Sequence, residues 1–217
     1  PDPALVERLV TTAAEHGAPG ALRQMTFAPE RPGSEALVRA LVAHGIRPAV
    51  GHTDTDAGTT ARTLADVADR QGAPALVTHL FNGMPPLHHR AGGPVAAALT
   101  AAARGEAVVE LIADGVHVAP EVVRMVFETV GPDHVALVSD AMAATGLGDG
   151  RYRIGTLDVV VDGGTARTVD TGAIAGSTST LADCVRWAVE VARVPEADAV
   201  RAAMSTPALA LGLTPAR

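Results

Sequence analysis

The chain contains no lysine: all 17 of its cationic residues are arginines. That absence removes three chemistries from these residues: a Schiff-base lysine, a P-loop lysine and a carboxylated lysine bridging two metal ions. A single cysteine, Cys184, rules out a disulfide within the chain. It sits in LADCVRWAVEV at helical spacing from apolar neighbours, which reads as a buried structural thiol. No run of about 20 apolar residues occurs, and no basic-then-apolar leader precedes the first helix pattern. Neither a membrane span nor a signal peptide is expected, and a cytoplasmic location is the default. A formal net charge of −7 disfavours polyanions, so nucleic acid is not an expected partner, although one arginine can still hold one phosphate.

What is present is a chain of 217 residues, 47% of them hydrophobic, enough to fill the core of one large domain. Helical and strand-like segments alternate along it. Helical spacing marks residues 3–16, 34–45, 56–71, 94–105, 120–131, 181–193 and 196–212, with Ser34 expected as one N-cap, Thr53 or Asp54 as another, and Pro120 in a first turn. Between the first six lie five strand patterns: ALRQMTFAPE, IRPAVGHT, APALVTHLFN, VVELIADGVHV and HVALVSDAM. Residues 83–93 (GMPPLHHRAGG) read as a loop. Residues 151–171 alternate apolar and polar around a Gly-Gly turn, which predicts a β-hairpin laid over the mouth of the domain.

Repeated βα units of this kind predict an α/β fold of the (β/α)8 TIM-barrel type. A full eight-unit barrel usually needs about 250 residues, so the chain, which starts at Pro1-Asp2-Pro3, is expected to be a partial barrel. Four polar residues follow short apolar runs: His52, His79, His117 and Asp140, at intervals of 27, 38 and 23 residues. These spacings are one or one and a half βα units, so the side chains should gather at one mouth of the barrel. Two histidines at equivalent strand ends, with an aspartate at a third, describe a divalent metal site with a nearby base, and Zn²⁺ is its usual occupant. His16 and His44 end helices just before glycines, where an imidazole can interact with the helix C-terminus. His88 and His89 lie in the loop without an assigned role. Glu30 is weighed as a ligand and, equally, as a structural carboxylate.

The segments GHTDTDAGTT, THLFNGMPPLHHR, ELIADGVHV, LVSDAMAATG, AGSTSTL and STPALALGL, in that order, resemble the motif set of the N-acetylglucosamine-6-phosphate deacetylases of the amidohydrolase superfamily. The resemblance implies a metal-dependent amidohydrolase that converts N-acetylglucosamine 6-phosphate to glucosamine 6-phosphate and acetate. It implies His52 and His79 as metal ligands and Asp140 as the catalytic acid/base. His117 is implied to contact the sugar and the scissile carbonyl. Asn82, the Gly83 backbone and Arg90 match positions that hold the phosphate, and Ile174, Ala175, Gly176 and Ser177 match the loop over the sugar.

The same resemblance implies a homodimer whose partner subunit helps complete the phosphate pocket. The family's upstream β-rich segment, its glutamate metal ligand and its C-terminal sandwich strands are not found in these residues. TFAPE resembles a later family motif, which argues against Glu30 as that ligand. Zn²⁺ or Fe²⁺, and one ion or two, stay open. So does the alternative of an N-acetylgalactosamine-6-phosphate deacetylase, or of a non-catalytic phosphosugar-binding module. Gly83 stands where the family more often has alanine and Phe81 where it often has tyrosine, both mild departures.

Overall fold

The structure, a computed structural model, describes residues 1–214. It is an α/β chain with a five-stranded parallel sheet in the order β1-β2-β3-β4-β5. The strands are β1 (Gln24–Phe27), β2 (Arg47–Val50), β3 (Ala75–Val77), β4 (Ala107–Ile112) and β5 (Val135–Val138). Helix α1 (Pro3–Glu15) precedes them. The crossovers are α2 (Ser34–Ala43), α3 (Ala57–Gln71), α4 (Gly93–Ala103) and α5 (Pro120–Val130), followed by α6 (Leu181–Glu190) and α7 (Glu196–Ala210).

Local chemistry sets most helix ends. Asp2 caps α1 by accepting from the Ala4 N–H, and Pro3 occupies its first position. Helix α6 begins with a reciprocal capping box between Thr180 and Asp183. Two expected caps are corrected. Helix α3 is capped by Asp56, whose carboxylate accepts from the Thr59 N–H at 2.8 Å, because Thr53 and Asp54 are held by Glu30 instead. Helix α2 is preceded by Gly33 at φ 88°, and Ser34 turns its hydroxyl back to the Pro29 carbonyl. Helix α6 also stops at Glu190, three residues short of its apolar pattern.

Pleating gives the sheet two different faces. Val50, Val77, Val109, Val135 and Leu137 face the helices and merge with Leu41, Leu64, Val95, Val126 and Ala202 in one large core. The other face carries smaller residues, Ala49, Leu76, Val108 and Ala136, closed off by Ala210 and Leu211 at the end of α7. This second face is concave. The Gln24 amide of β1 reaches Glu110 of β4 at 2.6 Å across two intervening strands. Thr26 and Thr78 meet at 2.9 Å over Gly51, where an added Cβ would fall 2.7 Å from the Thr78 Cβ.

Residues 150–168 form three antiparallel strands, not the two of the expected hairpin: β6 (Gly150–Ile154), β7 (Leu157–Asp162) and β8 (Thr165–Thr168). The Gly163-Gly164 turn lies where the sequence suggested, and a second turn at Gly155, φ 56°, divides the remainder. Val159, Val161 and Ala166 pack there on Ala144 in a small core of their own.

No helix among the described residues is long and apolar enough to cross a membrane. Cys184 lies in the core, and burial, reinforced by the nearby Asp114 charge, pushes its thiol up to about 11. The folded protein is therefore expected to resist thiol-directed reagents at pH 8 and to be labelled at once in denaturant. Rapid stoichiometric labelling of the native protein would contradict this burial.

Candidate functional site

In a parallel sheet every strand ends at the same edge, so residues at equal offsets past strand ends converge. His52, His79 and Asp140 each lie two residues beyond β2, β3 and β5. All three have positive φ, at 48°, 28° and 51°. With Phe81 at 79° they account for four of the five non-glycine residues in this conformation among the described residues. Such backbone is disfavoured and tends to collect at functional sites.

The residues border a cavity of about 630 Å³, in the range of small-molecule sites. His52, His79, Asn82, Gly83, His117, Asp140, Ile174, Ala175 and Gly176 all line it. Ala141, Met142, Ile154, Leu157, Thr168 and Ala173 complete the wall, so the small antiparallel sheet contributes an apolar side that the strand-end pattern does not reveal. A wider groove of about 840 Å³ crosses α7 between Asp133 and Leu209, but only Asp133, Glu196 and Arg201 bring charge there, and Arg201 is already paired with Asp133 at 2.9 Å. Volume alone does not select the site.

The two ring atoms His52 Nε2 and His79 Nε2 point at each other at 2.8 Å, the rings nearly perpendicular at 76°. His79 is buried, and its Nδ1 has no hydrogen-bond partner. Burial pushes the His52 imidazole down from its ordinary pKa, His79 adds to this, and Asp140 opposes it. Two imidazole nitrogens turned toward each other, one on a ring whose charged form burial disfavours, are the donor chemistry of a divalent metal. The pair therefore fits half of such a site. No cluster of three or more His, Cys, Asp or Glu side chains suited to a metal occurs among the described residues.

Glu30 does not join it. Burial works to raise its pKa, but the Thr53 hydroxyl at 2.6 Å and the Asp54 N–H at 3.0 Å hold its carboxyl below the usual range. It fastens the loop after β2. Gly83, φ 62°, lies directly against the His52 ring: an added Cβ would approach Nδ1 to 2.6 Å.

His117 is brought in from a turn after β4. Its Nε2 lies 3.9 Å from Asp140 Oδ2, and its Nδ1 hydrogen-bonds Asp114 at 2.8 Å. Asp114 was missed in the sequence, although it occupies the same offset past β4 that His52, His79 and Asp140 occupy past their strands.

Two expected substrate residues are not in the cavity wall. Arg90 is exposed on its loop with its guanidinium 2.6 Å from His89 Nε2. Ser177 is buried, its hydroxyl donating to Asp114 at 2.7 Å and accepting from the Ser179 N–H. The Ser177 N–H donates to the Asp140 carbonyl at 2.7 Å, so this serine joins the end of β5 to the covering loop.

No family model matches the chain. It is 37% identical over 203 residues to N-acetylglucosamine-6-phosphate deacetylase from Bos taurus, covering 92% of this chain and 48% of that protein. It is 39% identical over 192 residues to N-acetylgalactosamine-6-phosphate deacetylase from Escherichia coli O157:H7, covering 88% and 48%. Among solved structures, N-acetyl-D-glucosamine-6-phosphate deacetylase from Mycobacterium smegmatis, in a mutant form complexed with N-acetyl-D-glucosamine-6-phosphate, superposes with a TM-score of 0.83 at 41% identity. That match covers 98% of this chain and 53% of the other. The chain spans about half the length of the relatives it matches.

Proposed function

We propose that this chain, similar to N-acetylglucosamine-6-phosphate deacetylases over about half their length, serves hydrolysis of the acetamide of N-acetylglucosamine 6-phosphate. The products are glucosamine 6-phosphate and acetate. The observation that carries this reading is the convergence of His52, His79, His117 and Asp140 on one cavity at the C-terminal edge of a parallel sheet. In this reading the curved sheet is part of a (β/α)8 barrel and residues 150–171 are an excursion over its mouth.

His52 and His79 would hold a divalent ion, Zn²⁺ or alternatively Fe²⁺, singly or as a pair of ions. When bound, such an ion supplies an activated water at neutral pH and polarises the scissile carbonyl. Asp140 accepts a proton from the attacking water and returns it to the nitrogen as the C–N bond breaks, so that acetate and the free amine leave. His117 Nε2, across from Asp140, faces the sugar and its acetamide, where a ring nitrogen can accept a hydrogen bond. Asn82 and the Gly83 N–H receive the phosphate, and Ile174, Ala175 and Gly176 lie over the sugar ring. Ser177 supports that loop from behind.

Arg90 enters this scheme by turning its loop toward the bound phosphate, where a guanidinium can make two parallel hydrogen bonds. Arg90→Ala should then raise KM at least about 10-fold, as loss of a charged hydrogen bond worth about 1.5–3 kcal/mol requires, with kcat changed less. An unchanged KM would remove Arg90 from the site. A homodimer and a cytoplasmic location belong to the same reading.

The test is acetate release from a panel of N-acetylated hexosamine 6-phosphates by the metal-loaded protein. Turnover of the gluco epimer supports the proposal. Preference for the galacto epimer would favour the activity named for the Escherichia coli relative. Binding of either without turnover would favour a phosphosugar-binding module, and failure on both counts would exclude all three readings.

A further inference from the structure

Asp114 has no role in the chemistry above, yet it is the most heavily bonded side chain around the cavity. Its carboxylate is 2% exposed and accepts four hydrogen bonds. Oδ1 takes the Val116 and His117 backbone N–H groups, both at 2.9 Å. Oδ2 takes the His117 ring at 2.8 Å and the Ser177 hydroxyl at 2.7 Å. Burial works to raise its pKa, but these donors, the His117 ring first among them, hold the carboxyl far below the usual range.

The two oxygens do different work. An aspartate that merely shapes its own turn needs only Oδ1 on the next backbone N–H groups. Oδ2 is additional, and a carboxylate can only accept, so it places the His117 ring proton on Nδ1. The neutral ring then presents a lone pair at Nε2, the atom that faces Asp140 at 3.9 Å.

The support continues outward. Gly115, φ 81°, seats the turn on Trp187, where an added Cβ would fall 2.6 Å from the indole nitrogen. Ser177 ties the same Oδ2 to the backbone of Asp140.

We propose that Asp114 is a positioning residue: through Oδ2 it fixes both the tautomer and the direction of His117, and through Ser177 it locks that ring to the strand end carrying Asp140. The functional half of this inference rests on the deacetylase reading; the tautomer half does not.

Asp114→Asn separates the two oxygens. The amide oxygen can keep the turn, while the amide NH2 in place of Oδ2 donates to Nδ1 and drives the neutral ring to the opposite tautomer, with its proton on Nε2. In catalytic Asp-His pairs, the same exchange lowers kcat by roughly 10⁴-fold with geometry intact. The experiment is nitrogen-15 NMR of the His117 ring in the neutral form, in wild type and Asp114→Asn, beside kcat and KM for the phosphosugar. Trp187 emission serves as the check that the turn is in place.

The expected result is Nδ1–H in wild type, Nε2–H in the variant, and a kcat loss of roughly 10²-fold or more with KM nearly constant. Wild-type His117 carrying its proton on Nε2 would overturn the proposal without any variant having to fold. So would an unchanged tautomer in Asp114→Asn, or an inverted tautomer at full kcat. If the wild type turns over neither epimer, the deacetylase reading fails, and the NMR arm still decides the tautomer.

Discussion

Asp140→Asn is expected to lower kcat for deacetylation by roughly 10²–10⁴-fold, with metal content and KM close to those of the unaltered protein. The exchange is nearly isosteric, and the backbone of Asp140 is held independently of its side chain. Its carbonyl accepts from the Ser177 N–H at 2.7 Å, and the Met142 N–H returns to the Ser177 carbonyl at 2.9 Å. The left-handed conformation at φ 51° is one that asparagine tolerates as well as aspartate. The loss is therefore chemical. An amide accepts no proton from water and has none to give the departing nitrogen. The side chain is 43% exposed toward the cavity and 3.9 Å from His117 Nε2, so it is free to exchange protons with a substrate and is not locked in a structural pair. Acetate release measured beside bound metal and substrate titration decides the matter. A kcat within a few-fold of the starting value would remove Asp140 from the proton transfer.

How much of this was legible in the sequence follows from what the sequence encodes locally. Apolar runs ending in a polar residue mark strand ends, and a parallel sheet aligns those ends. His52, His79 and Asp140 could therefore be placed together with no knowledge of side-chain contacts. The same rule reaches Asp114, two residues past β4, but the ADGVH segment drew attention to the histidine five residues past the strand. That histidine reaches the cavity only because Asp114 and Gly115 turn the chain back.

Other residues failed for a physical reason of the same kind. Whether Glu30 meets an ion or the Thr53 hydroxyl depends on the path of two loops, and no periodicity records that. Ser177 lies in a covering loop whose backbone was expected over the cavity, yet its hydroxyl is turned the other way, onto Asp114. The third antiparallel strand was hidden because a turn at Gly155-Thr156 interrupts the alternation without breaking it. The curvature of the sheet is not legible in the sequence at all, since the contact of Gln24 with Glu110 that shows it arises from packing across the concave face.

The second large effect is expected at the paired imidazoles. His52→Ala and His79→Ala should each reduce bound Zn²⁺ by more than the roughly 10–100-fold loss that follows a change in a ligand's hydrogen-bonding partner, and activity should fall with it. The pairing makes a sharper prediction. With Nε2 atoms 2.8 Å apart, the rings either share one ion or share one hydrogen bond. If they share an ion, removing either ring already destroys the site, and the double variant loses little beyond the singles. If they share only a hydrogen bond, His52→Ala leaves the buried His79 ring unpaired, with a modest stability loss of about 1–3 kcal/mol, His79→Ala leaves an exposed ring that water can satisfy, and neither changes metal content.

His79 is the more informative position. Its Nδ1 already lacks a partner, and the buried ring has no second contact to fall back on once its facing nitrogen is freed. Metal analysis of the two single variants and the double variant, read beside their thermal stability, separates these outcomes. Metal content unaffected in all three would contradict ligation by this pair and leave the cavity as a phosphosugar-binding site that does not depend on an ion.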